Sequence, residues 1–139
     1  MIKILKVTSH NKIENQTLRQ RAKRARGGRS NEFIALLDDN EAGLLSYDYR
    51  NEAFEVFIYE IYVLPEFRNK GIGSQMLAHA EKKAIQLQCL KVKLEPFPLD
   101  KETKQTSLIN WYKDNGYIYE ERNQESLVKH LAINIETKK

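Results

Sequence analysis

One cysteine, Cys89, stands in 139 residues, so an intrachain disulfide is impossible and a thiolate metal cluster cannot be built within one chain. Followed by Leu90, Val92 and Leu94, it reads as a core residue at a strand start rather than as a nucleophile. The three histidines, His10, His79 and His130, are scattered and show no ligand spacing, so no metal site is expected. No apolar run approaches the roughly 20 residues that span a bilayer. Lys3 and Lys6 interrupt the first apolar residues where a signal peptide needs a continuous stretch, so the expectation is a cytoplasmic protein with no membrane partner. Repeats and low-complexity tracts are also missing.

What is present fits one folded domain, expected over residues 1–135 with a frayed tail at 136–139. Hydrophobic residues make up 41% and charged residues 30%, the balance of a globular protein rather than a disordered one. The net charge of +4 is concentrated: Arg19, Arg21, Lys23, Arg24, Arg26 and Arg29 crowd one stretch. Such a stretch is either a solvated helix face running into Gly27-Gly28 or a patch for phosphate or nucleic acid, and no interleaved aromatics favour the second reading.

Spacing predicts the elements. Ile2, Ile4 and Val7 mark a first strand, Thr8 to Asn11 offer turn and capping side chains, and a helix is expected over 12–26. Segments 33–37 and 42–49 flank Asp38-Asp39-Asn40, a hairpin signal. Residues 54–64 are apolar or aromatic on both alternating faces, which predicts a central covered strand with Phe54, Val56, Ile58 and Tyr62 on one side. Pro65 ends it. Ile72, Met76, Leu77, Ala80, Ala84 and Ile85 recur at helical spacing across 71–88, and 90–94 returns as a strand, which completes a βαβ-like unit. Pro96 and Pro98 open a loop; a short helix over 106–115 ends at Gly116, and 117–121 with 127–133 are a closing pair of strands.

Arg68-Asn69-Lys70-Gly71-Ile72-Gly73 lies between the covered strand and the long helix. Glycines there let backbone N–H groups approach a ligand, and the unpaired donors and positive dipole end of the following helix favour a phosphate or pyrophosphate. Ser74 adds a hydroxyl. The loop lacks the Lys-Ser/Thr of a P-loop and is one glycine short of the dinucleotide fingerprint, so ATP and NAD readings lose ground.

Arg68, Gly71 and Gly73 match a Gln/Arg-x-x-Gly-x-Gly/Ala loop, and Tyr112-Lys113-Asp114-Asn115-Gly116-Tyr117 matches a Tyr-x-x-x-Gly-Phe/Tyr segment. In both respects, and in element order from 33 to 133, the chain resembles the GNAT family of N-acetyltransferases. The resemblance implies an α/β fold whose central mixed, mostly antiparallel sheet is splayed around the cofactor, with helices on both faces. It implies acetyl-CoA or another acyl-CoA as co-substrate, its pyrophosphate held by backbone donors of Arg68, Asn69, Lys70, Gly71, Ile72, Gly73 and Ser74. The same resemblance implies that the backbone N–H of Val63 polarises the thioester carbonyl. Tyr112 takes the position of the acid that protonates the departing thiolate, against the plainer reading of a helix aromatic in line with Leu108 and Ile109.

Glu60 is the acid well inside the covered strand, and a carboxylate there is either functional or paired; Glu55 is a weaker candidate. Tyr47, Tyr49, Tyr59 and Tyr62 read either as an aromatic pocket for an amine, with Asp48 or Glu60 lending negative charge, or as sheet packing. The acceptor stays open among small amines, amino acids, aminoglycoside-like compounds and protein amines. A non-catalytic acyl-CoA sensor and a nucleic-acid binder using the basic cluster are the competing readings. Open edge strands make a homodimer plausible.

Overall fold

The computed structural model describes residues 1–25, 30–97 and 104–131; Gly27-Gly28, Arg26, Arg29, Pro98 and the tail at 136–139 lie outside them. The elements are β1 (Ile2–Lys6), α1 (Gln16–Ala25), β2 (Asn31–Leu37), β3 (Asn40–Arg50), β4 (Glu55–Val63), α2 (Ile72–Gln86), β5 (Lys91–Leu94), α3 (Gln105–Asp114), β6 (Ile118–Tyr119) and β7 (Leu127–His130). The described strands form one sheet in the order β1-β2-β3-β4-β5-β7-β6, antiparallel everywhere except between β4 and β5. No helix among the described residues is long and apolar enough to cross a membrane.

The β2–β3 hairpin turns on Asp38 (φ 49°) and Asp39 (φ 70°). Two successive left-handed residues match the right-handed twist of the flanking strands, which is why a two-residue turn suffices. Helix α1 starts at Gln16 and not at residue 12. The capping side chain is Asn15, whose Oδ1 accepts from the Leu18 N–H at 3.0 Å, while Glu41 takes the Glu14 and Asn15 N–H groups. Residues 10–12 form a separate 3₁₀ turn instead.

Strand β4 departs from simple alternation. Ser46 pairs with Glu60 but Tyr47 pairs with Ile58, so Tyr59 is an extra residue that bulges from the ladder. The bulge reverses the phase. Val56 and Ile58 pack with Ile61 and Val63 in the core beneath α2, whereas Tyr62 joins Leu18, Ala22, Ile34, Leu44 and Leu64 beneath α1. Tyr62 therefore does not share a face with Val56 and Ile58. Phe54 is outside the strand altogether, left-handed after a 3₁₀ turn and exposed.

Helix α2 buries Ile72, Met76, Leu77, Ala80 and Ala84, but Ile85 is 57% exposed, one position beyond that stripe. Leu90 is exposed too, and Cys89 is buried. Gly43 makes the close seating of α2 possible, because a Cβ there would lie 2.8 Å from the Tyr62 carbonyl oxygen and 2.9 Å from Met76 Cε. One contact is backbone and cannot swing away. Gly43→Ala is expected to cost about 1–3 kcal/mol, as overpacking of a filled core does, read as a lowered midpoint in chemical denaturation. An unchanged midpoint would mean that α2 shifts freely.

Candidate active site

Strands β4 and β5 pair only from Glu55↔Lys91 to Ile58↔Leu94. Beyond that β4 continues to Val63, while β5 gives way to Glu95 and to Pro96, which has no N–H to offer a ladder. A cleft opens where the strands part, lined by the second half of β4, by Leu94 to Phe97, by Arg68, and by Leu108 and Tyr112 of α3. It runs into a groove along Val63, Arg68, Asn69, Gly71 to Ser74, Leu108 and Trp111. Ile61, Val63, Arg68 and Leu108 line both.

The backbone of β4 offers hydrogen-bonding groups to this cleft. Leu64 N–H donates to the Ala42 carbonyl at 2.8 Å, marking 42 and 64 as a bonded pair; ladder alternation makes Gly43 and Val63 a non-bonded one. The Val63 N–H and C=O consequently face away from β3, into the cleft. Its carbonyl accepts from Arg68 Nε at 3.0 Å. Arg68 also stands over the Tyr62 ring, 5.6 Å from its centroid, so its side chain braces the cleft end as well as adding charge near the loop.

At the far end of the groove, Gly71 caps α2 with φ 82°, a left-handed conformation that glycine adopts without strain. The first helical bond runs from Gln75 N–H to the Gly71 carbonyl at 3.0 Å. The N–H groups of Ile72, Gly73 and Ser74 thus have no acceptor within the helix, and no side chain caps them. Ile72 turns its side chain into the core, leaving only its backbone for a ligand, while Asn69, Lys70 and Ser74 are exposed. Unpaired backbone donors at the positive end of a helix are suited to an anion.

Tyr112 reaches the cleft from α3 and is buried. Trp111 meets its ring at 4.8 Å and Tyr117 at 5.5 Å, both edge-on. Tyr117 in turn donates its hydroxyl to Glu81 of α2 at 2.8 Å, and Lys129 of β7 bonds the same carboxylate. Tyr117, tied through Glu81 to α2 and β7, therefore braces the Tyr112 ring. Burial pushes its phenol up, so the hydroxyl keeps its proton through the neutral range.

Glu60 lines the same cleft and is paired: Arg21 Nη1 donates to its Oε2 at 2.7 Å. Burial raises the Glu60 carboxyl, and Arg21, with Arg24 behind it, pulls it back. Glu55, the weaker candidate, is buried between Arg50 and Lys91, away from the cleft.

The structure narrows the aromatic pocket. Tyr59 and Tyr62 line the cleft, but Tyr47 is core, stacked on Phe33 at 5.5 Å, and Tyr49 bonds Asn51. Asp48 is buried beside Arg50 and gives the cleft no charge. Within the described part of the basic cluster, Arg19 donates to the Ile13 carbonyl and Arg21 pairs with Glu60, while Arg21, Lys23 and Arg24 line a shared surface hollow. Sequence reasoning missed Arg21, Glu95 and Phe97 as neighbours of the site. Trp111 both packs against the core and lines the groove.

A family model described as the acetyltransferase (GNAT) family matches residues 3–117. Comparison with curated proteins by sequence returns no match. Among solved structures, the PaiA N-acetyltransferase from Thermoplasma acidophilum in complex with coenzyme A superposes with a TM-score of 0.66 at 17% identity, over 94% of this chain and 99% of that one. IAA acetyltransferase from Bacillus cereus gives 0.71 at 16%, over 94% and 100%. A GNAT family acetyltransferase from Elizabethkingia anophelis with acetyl-CoA bound gives 0.65 at 18%, over 94% and 98%. With the splayed sheet and the family match over most of its length, the chain belongs to the GNAT family of acyl-CoA-dependent N-acetyltransferases.

Proposed function

We propose that the protein moves an acetyl group from acetyl-CoA to the amine of a small molecule or peptide by direct attack with both substrates bound. The observation that carries this reading is that the cleft lined by Tyr112 and the groove at the α2 donors share one wall, formed by Ile61, Val63, Arg68 and Leu108. The N–H groups of Ile72, Gly73 and Ser74 hold the pyrophosphate, assisted by the charge of Lys70 and Arg68 and by the Ser74 hydroxyl, with Asn69 shaping the turn at φ 63°. Val63 N–H polarises the thioester carbonyl. As the N–C bond forms and the C–S bond breaks, Tyr112 donates toward the sulfur and Glu60 takes the proton that the amine loses. A cytoplasmic setting belongs to this reading, since its lone buried thiol suits a reducing compartment.

Isothermal titration with acetyl-CoA, beside a thiol-release screen against pooled amines, amino acids, peptides and aminoglycosides, tests the proposal. Binding with thiol release is the expected result. Binding without release from any pool would point to a sensor, and no binding would remove the α2 donors from the account.

A further inference from the structure

We propose that Arg21 is a positioning residue for the transfer, clamping the Glu60 carboxylate against the cleft wall as the acceptor of the amine's proton. The inference rests on the acetyltransferase reading and on Glu60 as its base.

Local geometry explains the clamp. Leu18 and Ala22, one turn apart, are fully buried and fix the rotation of α1, so Arg21 also points at the sheet. The bulge at Tyr59 brings Glu60 and Tyr62 to the α1 face, where unbroken alternation from Val56 would have sent both into the α2 core. Arg21 meets both residues: Nη1 lies 2.7 Å from Glu60 Oε2, and Cζ lies 3.7 Å from the Tyr62 ring centroid. The two side chains are only 12% and 10% exposed. An exposed ion pair contributes little, but this one is largely withdrawn from water, and a ring fixes the plane of its guanidinium.

The charged surroundings make Arg21 decisive. On α1, Arg24 adds a second, more distant positive charge. Arg68 lies 5.6 Å from the same Tyr62 ring, and Tyr59, Tyr62, Tyr112 and Glu95 share the cleft with Glu60. On β3 the cross-strand neighbour of Glu60 is Ser46, which donates to the buried Glu32 of β2, itself bonded to His10; Asp48 on β3 is held by Arg50. Burial raises the Glu60 carboxyl, and Arg21 is the leading force that lowers it. Without Arg21 the carboxyl titrates higher still. A base with a raised pKa is protonated, and inactive, up to a higher pH.

The test is the pH dependence of kcat/KM for Arg21→Gln, Arg21→Lys, Glu60→Gln and the Arg21→Gln/Glu60→Gln pair, with a carbon-13 titration of the Glu60 carboxyl in the parent and Arg21→Gln. Arg21→Gln is expected to move the acidic limb up by about one pH unit or more, with the rate recovering on the alkaline side, and to move the carboxyl titration equally. Arg21→Lys, which retains the charge and controls for folding, moves both less. On the Glu60→Gln background, Arg21→Gln produces no further displacement. An equal loss at every pH, or an unmoved carboxyl titration, overturns the proposal. If Glu60→Gln keeps the parent's acidic limb, the base role and this proposal fall together, while its thiol release leaves the transferase reading standing. Were no amine turned over, the transferase reading would fail separately, and the carboxyl titration would still decide whether Arg21 sets the state of Glu60.

Discussion

Tyr112→Phe is expected to lower kcat about 100-fold while the affinity for acetyl-CoA, measured by titration calorimetry, stays within about twofold. The substitution keeps the ring that Trp111 and Tyr117 enclose and removes only the hydroxyl. Positioned proton donors contribute roughly 10²–10⁴-fold, and the lower end applies here for a physical reason. Burial pushes the phenol up, so full surrender of its proton would leave a phenolate in a poorly solvated site. On the proposed mechanism the hydroxyl would then act mainly as a hydrogen bond to the charge growing on sulfur. A thioester whose departing thiol is strongly acidic needs that help less, so the deficit is expected to shrink with such a donor. Equal kcat for variant and parent, or a loss that does not depend on the leaving thiol, would remove Tyr112 from the proton path.

The legible parts of the site were those set by local rules. Gly71 and Gly73 at the head of an amphipathic helix, a proline after a covered strand and two aspartates in a tight hairpin each have a local cause, and each stands where the sequence places it. The phase of β4 was not legible. Whether Glu60 faces α1 or α2 depends on one extra residue at Tyr59, and a bulge is set by the partner strand, which alternation within β4 does not encode. Tyr47 and Tyr49 failed as pocket residues for a related reason: aromatics favour strands on either face, and only tertiary packing decides which face meets the cleft. Arg21 was hidden among five other bases whose composition reads as solvated surface. Its distinction comes from the buried Leu18 and Ala22, which fix the direction of one arginine among several.

Gly73→Val is expected to weaken acetyl-CoA binding about 30-fold or more, equivalent to about 2 kcal/mol, while thermal unfolding shifts by only a few degrees. The two loop glycines fail differently when replaced. A Cβ on Gly71 meets nothing within 4 Å, so a side chain there costs backbone strain at φ 82° rather than space. A Cβ on Gly73 is in ordinary contact, 3.6 Å from Trp111 Cζ2 and 3.9 Å from Val63 Cγ2. Alanine therefore fits at 73 with a loss of about threefold or less in affinity. The two methyl groups of valine have only Trp111, Val63 or the groove to meet, and on the proposed reading the groove is where phosphate oxygens would approach the helix N–H groups. Lys70→Ala, by contrast, removes an exposed charge and is expected to cost only a few-fold, less at high salt. The decisive control is acetyl-pantetheine, which carries no pyrophosphate: its use as donor by Gly73→Val is expected to match the parent. A deficit of the same size with both donors would place the damage in the cleft beside Val63 rather than at the helix end, and unchanged acetyl-CoA affinity would take the α2 N-terminus out of the proposed binding site.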